Sequence, residues 1–330
     1  MTREDGRPEL RRDPLIGGWT IVAPGRSRRP GGGTGARTVK GPCPFCPGNE
    51  RLTPPEVWAE GEKGRRRDGP GWEIRVFPNL YPALAEAPSA VGKVGRRTLP
   101  ANGYHEVIVH SPHHDLALAR MDPEPAFRLM RAYRLRYREL CRRPGVRQVL
   151  IILNHGREAG ASLEHPHTQV FALPLVPGAV REELRRLRRA GSRGCPLCAA
   201  VEEARREGRT VLENGSFAAL APFSARQPYE TWFVPLRHRE DFSRAGEKEL
   251  RGLADILRRT LRGLNELLDD PPYNLWLHSA PCGEEHPYYH WHLELIPRLA
   301  VTAGFEMASG MFINPVPPEE AARRLAEAVG

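Results

Sequence analysis

Lysine is scarce in this chain: of 49 basic residues only Lys40, Lys63, Lys93 and Lys248 are lysine, and the rest are arginines spread along its length. The net charge of +9 would suit nucleic acid if it were concentrated, yet the basic stretches 26–37 and 64–67 hold no aromatic residue on which a base could stack. Local contacts from arginine to phosphate are the better expectation, and no nucleic-acid partner is expected. Long apolar runs are also missing. No stretch reaches 18 apolar residues, and the opening MTREDGRPEL has no apolar segment. Neither a membrane span nor a secretory leader is therefore expected, and the expected compartment is the cytoplasm. With only six cysteines in 330 residues, a disulfide framework is not expected there either. Hydrophobic residues at 40% and charged residues at 27% are ordinary for a globular protein, so one large or two medium domains can bury a core. The 32 glycines and 33 prolines imply many loops.

Four of the cysteines form two C-x-x-C pairs, Cys43-Pro44-Phe45-Cys46 and Cys195-Pro196-Leu197-Cys198, while Cys141 and Cys282 stand alone. A redox pair would need its motif to open a helix after a strand. Cys43 instead follows the Gly- and Arg-rich stretch 25–41 and precedes Pro47 and Gly48. Zinc is the better reading if histidines complete each tetrahedral set.

An internal repeat supplies them. Tyr104 to Val109 reads as a strand, with His114 eight residues after Glu106. Tyr229 to Val234 reads as a second strand, with His238 eight residues after Glu230. Each is followed by an amphipathic helix, through Phe127, Met130, Tyr133, Tyr137 and Leu140 in the first half and Leu250, Leu253, Leu257, Leu261, Leu264 and Leu268 in the second. Strands at Gln148 to Leu153 and Tyr273 to Leu277 follow, and each half closes on a His-x-His strand, His165-Pro166-His167 and His290-Trp291-His292. The repeat defines two Cys₂His₂ sets: Cys43, Cys46, His114 and His165, where His110 and His113 are nearby alternatives and the offset of eight from Glu106 favours His114, then Cys195, Cys198, His238 and His290. Neither leaves an open coordination position, so the expectation is two structural Zn²⁺ ions per chain.

Residues i and i+2 of a strand share a face, so His165, His167 and Gln169 point one way, as do His290, His292 and Glu294. With His165 held by metal, His167 is rigidly placed yet available for chemistry, and Pro166 sets the pair at the accessible mouth of the sheet. The preceding loop, Asn154 to Ser162, carries Gly156 and Gly160. Its backbone N–H groups and the Ser162 hydroxyl suit a phosphate beside His167. An imidazole there can attack phosphorus as a nucleophile, with Gln169 donating to a non-bridging oxygen. The second half has no such loop and carries Glu294 where the first has Gln169, so catalysis is expected in the first half, with His292 and Glu294 shaping the pocket, binding another metal or serving as a structural pair.

Through Asn154-x-Gly156-x-x-x-Gly160-x-Ser162-x-x-His165-Pro166-His167-x-Gln169 the chain resembles the galactose-1-phosphate uridylyltransferases of the histidine-triad superfamily. The resemblance extends to Asp13 to Trp19, Arg26 to Pro30, Cys43 to Cys46, Phe77 to Pro82 and Gly304-Phe305-Glu306. It implies an α/β (α+β) fold of two fused histidine-triad-like units with antiparallel sheets and packed helices, dividing into 1–175 and 176–330. It also implies a ping-pong transfer of UMP from UDP-glucose to galactose 1-phosphate through His167. Arg26, Arg29 and Asn79 would contact nucleotide or phosphate, Asn154, Gly160, Ser162 and Gln169 the diphosphate, and Phe305 and Glu306 the hexose. Members are commonly homodimers in which the partner completes the site. Two features depart from the transferase pattern. Ala300 stands where many uridylyltransferases carry Lys, and Ala303 to Pro315 resembles the branch in which ADP-glucose replaces UDP-glucose and inorganic phosphate is the acceptor. A zinc-organised nucleic-acid-binding module without chemistry is the reading from a different class.

Overall fold

The computed structural model describes residues 7–28, 41–86, 97–191 and 194–330. Arg29 lies outside the described residues. Thirteen strands are described: β1 Glu9–Arg12, β2 Trp19–Val22, β3 Trp58–Gly61, β4 Trp72–Pro78, β5 Thr98–Pro100, β6 Tyr104–Val109, β7 Gln148–His155, β8 His167–Leu173, β9 Thr210–Glu213, β10 Phe217–Leu220, β11 Thr231–Pro235, β12 Tyr273–His278 and β13 His292–Pro297. The α-helices are α1 Pro123–Cys141, α2 Gly178–Ala190, α3 Pro196–Arg206, α4 Glu247–Leu268, α5 Gly304–Ser309 and α6 Pro318–Val329. None of them is long and apolar enough to cross a membrane.

Ten strands form one antiparallel sheet in the order β3-β4-β6-β8-β7-β12-β13-β11-β10-β9. Counted inward from either edge, the halves run β3, β4, β6, β8, β7 and β9, β10, β11, β13, β12, so the sequence repeat is a repeat of topology. The pair β7–β12 joins them, with Asn154 opposite Asn274 and His155 opposite Tyr273. Joining the halves there gives both strands a partner and leaves no open edge at the centre. A smaller sheet, β2-β1-β5, packs through Leu10 against Leu84, Ala101 and Leu173.

Helices α1 and α4 cover one face of the large sheet. Pro123 starts α1 at a position where its missing N–H is not needed. The Glu249 carboxylate accepts from Gly246 N–H (2.8 Å) at the start of α4, and Asp269 ends the helix in the left-handed region at φ 56°. The apolar stripes read from the sequence are the buried ones: Phe127, Met130, Tyr133, Tyr137 and Leu140 of α1 meet Leu250, Leu253, Leu257, Leu261 and Leu264 of α4 in a core that also takes Ile151, Val170, Phe233 and Leu293 from the sheet. Each such side chain contributes roughly 1.5–3 kcal/mol by leaving water. The opposite face is left for the polar residues of the site.

Three expectations need correction. Cys141 and Cys282 do not stand alone but form a disulfide, their Cα atoms 5.2 Å apart. They lie 141 residues apart in sequence, and only the fused sheet brings the end of α1 to the loop after β12. Glu106 and Glu230 are not equivalent. Val107 pairs with Gln169 as Trp232 pairs with Glu294, so the strands align as Tyr104 with Tyr229, and the match of Glu106 to Glu230 is off by one residue. Glu106 therefore faces α1, where it binds Arg136, whereas Glu230 faces the other way toward Arg226. Finally, Tyr229 adopts a left-handed φ of 61° and lies outside β11, which starts at Thr231.

Candidate active site

The two His-x-His segments place only their second histidine in a strand, since β8 begins at His167 and β13 at His292. His165 is fully buried and His167 is 8% exposed, so the pair is less accessible than its position at the strand start implied. His167 nevertheless lines a cleft of about 860 Å³ with Asn154, Gly156, Gly160, Ser162 and His165. The loop read as a phosphate cradle and the imidazole read as a nucleophile thus share one cavity. A backbone carbonyl can only accept, so the 2.8 Å contact from His167 Nδ1 to the His165 carbonyl fixes the proton on Nδ1. The neutral ring then carries its lone pair on Nε2, as a nucleophile requires. Phe45, between the first two cysteines, packs edge-on against this ring at 5.1 Å and tilted against Phe77 at 5.5 Å.

The loop is held from the second half of the chain. Asn274 on β12 donates to Asn154 Oδ1 and to the Ala159 carbonyl, both at 2.8 Å. Gly156, at φ 79°, lies so close to Pro272 that an added Cβ would sit 2.7 Å from the proline Cβ. Only glycine meets both conditions. Asp270, Pro272 and Tyr273 complete that wall of the cleft, with His155 stacked on Tyr273 at 4.8 Å and paired with Asp270 at 3.0 Å. His110 also lines it, and burial, with His167 nearby, holds that imidazole well below its ordinary value of 6.5.

Both expected ligand sets are assembled. The donors of Cys43, Cys46, His114 and His165 lie within 4.8 Å of one another, as do those of Cys195, Cys198, His238 and His290. The His165 ring donates from Nε2 to the Ser111 carbonyl (2.8 Å), which leaves Nδ1 as the lone-pair nitrogen, 3.8 and 3.7 Å from the sulfurs of Cys43 and Cys46. His114 Nδ1 is 3.4 Å from Cys46 Sγ. In the second set the His238 ring donates to the Pro287 carbonyl (2.9 Å) and turns Nδ1 to Cys198 at 3.8 Å, while His290 Nδ1 is 3.6 and 3.5 Å from Cys195 and Cys198. Tetrahedral zinc, with Zn–S near 2.3 Å and Zn–N near 2.0–2.1 Å, requires S···N separations of about 3.6 Å. The distances fit such an ion, as do the tautomers of His165 and His238. Burial, with the second thiol of each pair adding to it, pushes Cys43 and Cys198 up to about 11, so a metal there would displace a proton.

Gln169 faces His105 on β6, whose Nε2 lies 3.0 Å from Gln169 Oε1. The predicted phosphate contacts Arg26 and Asn79 meet at Tyr81: Arg26 donates to its carbonyl (2.7 Å) and Asn79 Oδ1 accepts from its N–H (2.9 Å). Phe305 and Glu306 are not brought to the cleft. They sit on α5, where Phe305 is exposed and Glu306 accepts from Ala303 N–H to cap the helix. A third group, Glu183, His278 and His292, also has its donor atoms within 4.8 Å of one another; sequence reading named His292 for another metal but missed Glu183 and His278. Glu183 comes from α2, which carries no motif, and only the sheet brings it to β12 and β13. His105, Asn274 and Asp270 were missed for the same reason.

The chain matches the family described as galactose-1-phosphate uridyl transferase, N-terminal domain, over residues 1–177, and a domain of unknown function (DUF4921) over residues 130–329. It is 33% identical to an ADP-glucose phosphorylase of Arabidopsis thaliana, covering 98% of this chain and 94% of that one. It is also 33% identical to a galactose-1-phosphate uridylyltransferase of Thermotoga maritima, covering 97% and 98%. Among solved structures, the Arabidopsis thaliana ADP-glucose phosphorylase with bound ADP-glucose superposes with a TM-score of 0.78 at 31% identity, covering 97% of this chain and 99% of that one. A uridylyltransferase superposes with a TM-score of 0.81 at 30% identity, covering 97% and 98%. With a cleft and ligand sets of this kind, and similarity along nearly its whole length, the chain belongs to the galactose-1-phosphate uridylyltransferase family of nucleotidyltransferase-type enzymes.

Proposed function

We propose that the chain moves UMP from UDP-glucose to galactose 1-phosphate by a ping-pong mechanism through His167. The observation that carries this reading is the His167 tautomer inside the cleft of the Asn154 to Ser162 loop. Nε2 attacks the α-phosphorus of UDP-glucose, the P–O bond to glucose 1-phosphate breaks, and glucose 1-phosphate leaves. The phosphate oxygen of galactose 1-phosphate then attacks the same phosphorus, the P–N bond breaks, and UDP-galactose and free His167 result. Asn154, Gly160 and Ser162 hold the diphosphate, Gln169 the non-bridging oxygen, and Arg26, Arg29 and Asn79 the nucleotide.

Adenylyl transfer from ADP-glucose, including its phosphorolysis, is the second reading. It is favoured by the 33% identity to the Arabidopsis thaliana phosphorylase and by the segment Ala303 to Pro315. Incubating the enzyme with UDP-glucose or ADP-glucose, radiolabelled in the α-phosphate, decides the base. Label retained on protein from UDP-glucose alone is expected, and retention from ADP-glucose alone would replace the first reading by the second.

Two zinc ions per chain, one in each Cys₂His₂ set, are part of the proposal; they pin the cysteine loops to the sheet and take no part in the transfer. A homodimer is the other part. Leu299, Val301, Phe305, Met307, Met311, Phe312 and Ile313 leave large apolar side chains exposed around α5, and Phe305 and Glu306 reach a hexose only if α5 enters a partner's cleft. The units of this reading are 1–175 and 176–330, and its compartment is the cytoplasm. Analytical ultracentrifugation at micromolar concentration is expected to give twice the chain mass.

A further inference from the structure

We propose that His105 is a positioning residue that fixes which end of the Gln169 amide faces the phosphoryl group. The proposal rests on the nucleotidyl-transfer reading above. His105 is buried, stacked on Phe171 with ring centroids 4.0 Å apart, and lies diagonally across the β6–β8 ladder from Gln169 on the same face. Its tautomer follows from one contact. The Ala83 backbone N–H donates to His105 Nδ1 at 3.1 Å, and a backbone N–H can only donate, so Nδ1 carries the lone pair. The hydrogen of the neutral ring is therefore on Nε2, and it donates to Gln169 Oε1 at 3.0 Å.

A carboxamide has an accepting end and a donating end, and engaging the oxygen determines where the NH₂ goes. A phosphoryl oxygen only accepts, so Gln169 can stabilise it only through that NH₂. The opposite flip would turn the Gln169 oxygen toward the anion and its NH₂ toward the His105 Nε2–H, placing like partners together at both ends. Asn79 Oδ1 is taken by Tyr81 N–H, which leaves its Nδ2, also a donor, 3.3 Å from His105 Nε2; two donors form no hydrogen bond there, so the acceptor of the Nε2 proton is Gln169 Oε1. The chain Ala83, His105, Gln169 thus carries a backbone direction to the site of charge development. His105 itself makes and breaks no bond.

The first test is the ¹⁵N spectrum of the whole protein labelled with [¹⁵N]histidine, the His105 signals being assigned by their loss in His105→Gln. A protonated Nε2 and an unprotonated Nδ1 are expected, and the reverse tautomer overturns the proposal. The second is kinetic. His105→Leu should lower the first-turnover rate of His167 nucleotidylation about tenfold or more while KM for nucleotide sugar changes less than about threefold, because removing a whole transition-state donor costs roughly 10²–10³-fold. His105→Gln, whose side-chain NH₂ can occupy the place of the ring Nε2–H, should regain most of the rate. Adding Gln169→Ala to His105→Leu should cost little more than Gln169→Ala alone. Additive losses, or His105→Gln no better than His105→Leu, contradict the role. The spectrum reads the tautomer whether or not substrate reacts. Wild-type protein with the expected tautomer and no adduct thus overturns the transfer reading, whereas an adduct with the reverse tautomer overturns the role of His105 alone.

Discussion

His167 and His292 occupy the same place in the two halves of the sheet, yet their surroundings differ in sign. Both donate from Nδ1 to the carbonyl two residues back, at 2.8 and 3.1 Å, so the duplication has kept the tautomer that presents Nε2. Around His167 stand Asn154, two glycines and Ser162, a set able to donate to an anion. Around His292 stand the carboxylates of Glu183 and Glu294, 3.8 and 3.7 Å from Nε2, and His278 stacked at 4.6 Å with planes 8° apart. Gln169 has Glu294 as its counterpart and Asn154 has His278, as the strand registers show. Two changes from amide to charged or basic groups replace hydrogen-bonding amides by an ion cluster in which Glu183 pairs with His278 and Glu294 with Arg226. Backbone geometry sets where a histidine points, and the side chains opposite decide what it can meet.

The largest expected difference between the halves is in rate. His167→Asn should lower transfer by at least ~10³-fold, the scale of losing a nucleophile, while His292→Asn should leave it within about threefold. Comparable losses in the two variants would mean that both copies are catalytic.

Metal content should be symmetric where rate is not. His165→Asn and His290→Asn should each reduce zinc from two ions per chain to one and lower Tm, since a Cys₂His₂ site supplies roughly 10–16 kcal/mol of apparent binding energy, comparable to the entire net stability of a domain. Elemental analysis with thermal melts reads both quantities, and unchanged zinc in either variant would reject that site.

Asymmetry should return in substrate binding, where Arg26→Ala is expected to raise KM for nucleotide sugar about tenfold, the scale of one charge-assisted hydrogen bond, with Tm unchanged. A constant KM would show that Arg26 serves the fold, as in its bond to Tyr81, and not the nucleotide sugar.

The smallest effect expected is on acid stability. Burial alone would raise Glu294, but the imidazoles of His278 and His292, 3.6 and 3.7 Å away, and the charge of Arg226 outweigh it and hold the carboxyl well below its ordinary value of 4.5. A depressed carboxyl contributes stability above its unfolded value and loses it as pH falls toward its folded one. Glu294→Gln should therefore flatten the decline of Tm below about pH 4.5, and an unchanged acid limb would contradict the ion cluster.

Much of this contrast was legible in the sequence. The paired C-x-x-C motifs, the two His-x-His segments and the helical stripes of α1 and α4 are local patterns with fixed periods, and they sit where the repeat placed them. What was not legible depends on register and on joining the halves. The match between Glu106 and Glu230 is off by one because a strand of period two gives no signal for its own shift when both faces are buried. Asn274, which holds the Asn154 loop, is opposite Asn154 only because β7 pairs with β12. Glu183 lies on an arginine-rich helix that reads as a solvated surface, and the partnership of Cys141 with Cys282 depends on the same junction.

The central claim is that one histidine of the duplicated pair carries the nucleotidyl group. Peptide mass spectrometry of wild-type protein mixed with UDP-glucose or ADP-glucose, without acceptor and quenched at alkaline pH where a phosphoramidate survives, tests it most directly. A nucleotidyl mass on the peptide bearing His167, with the peptide bearing His292 unmodified, is the predicted result. A full-rate His167→Asn enzyme, or an adduct on any other residue, would contradict the account.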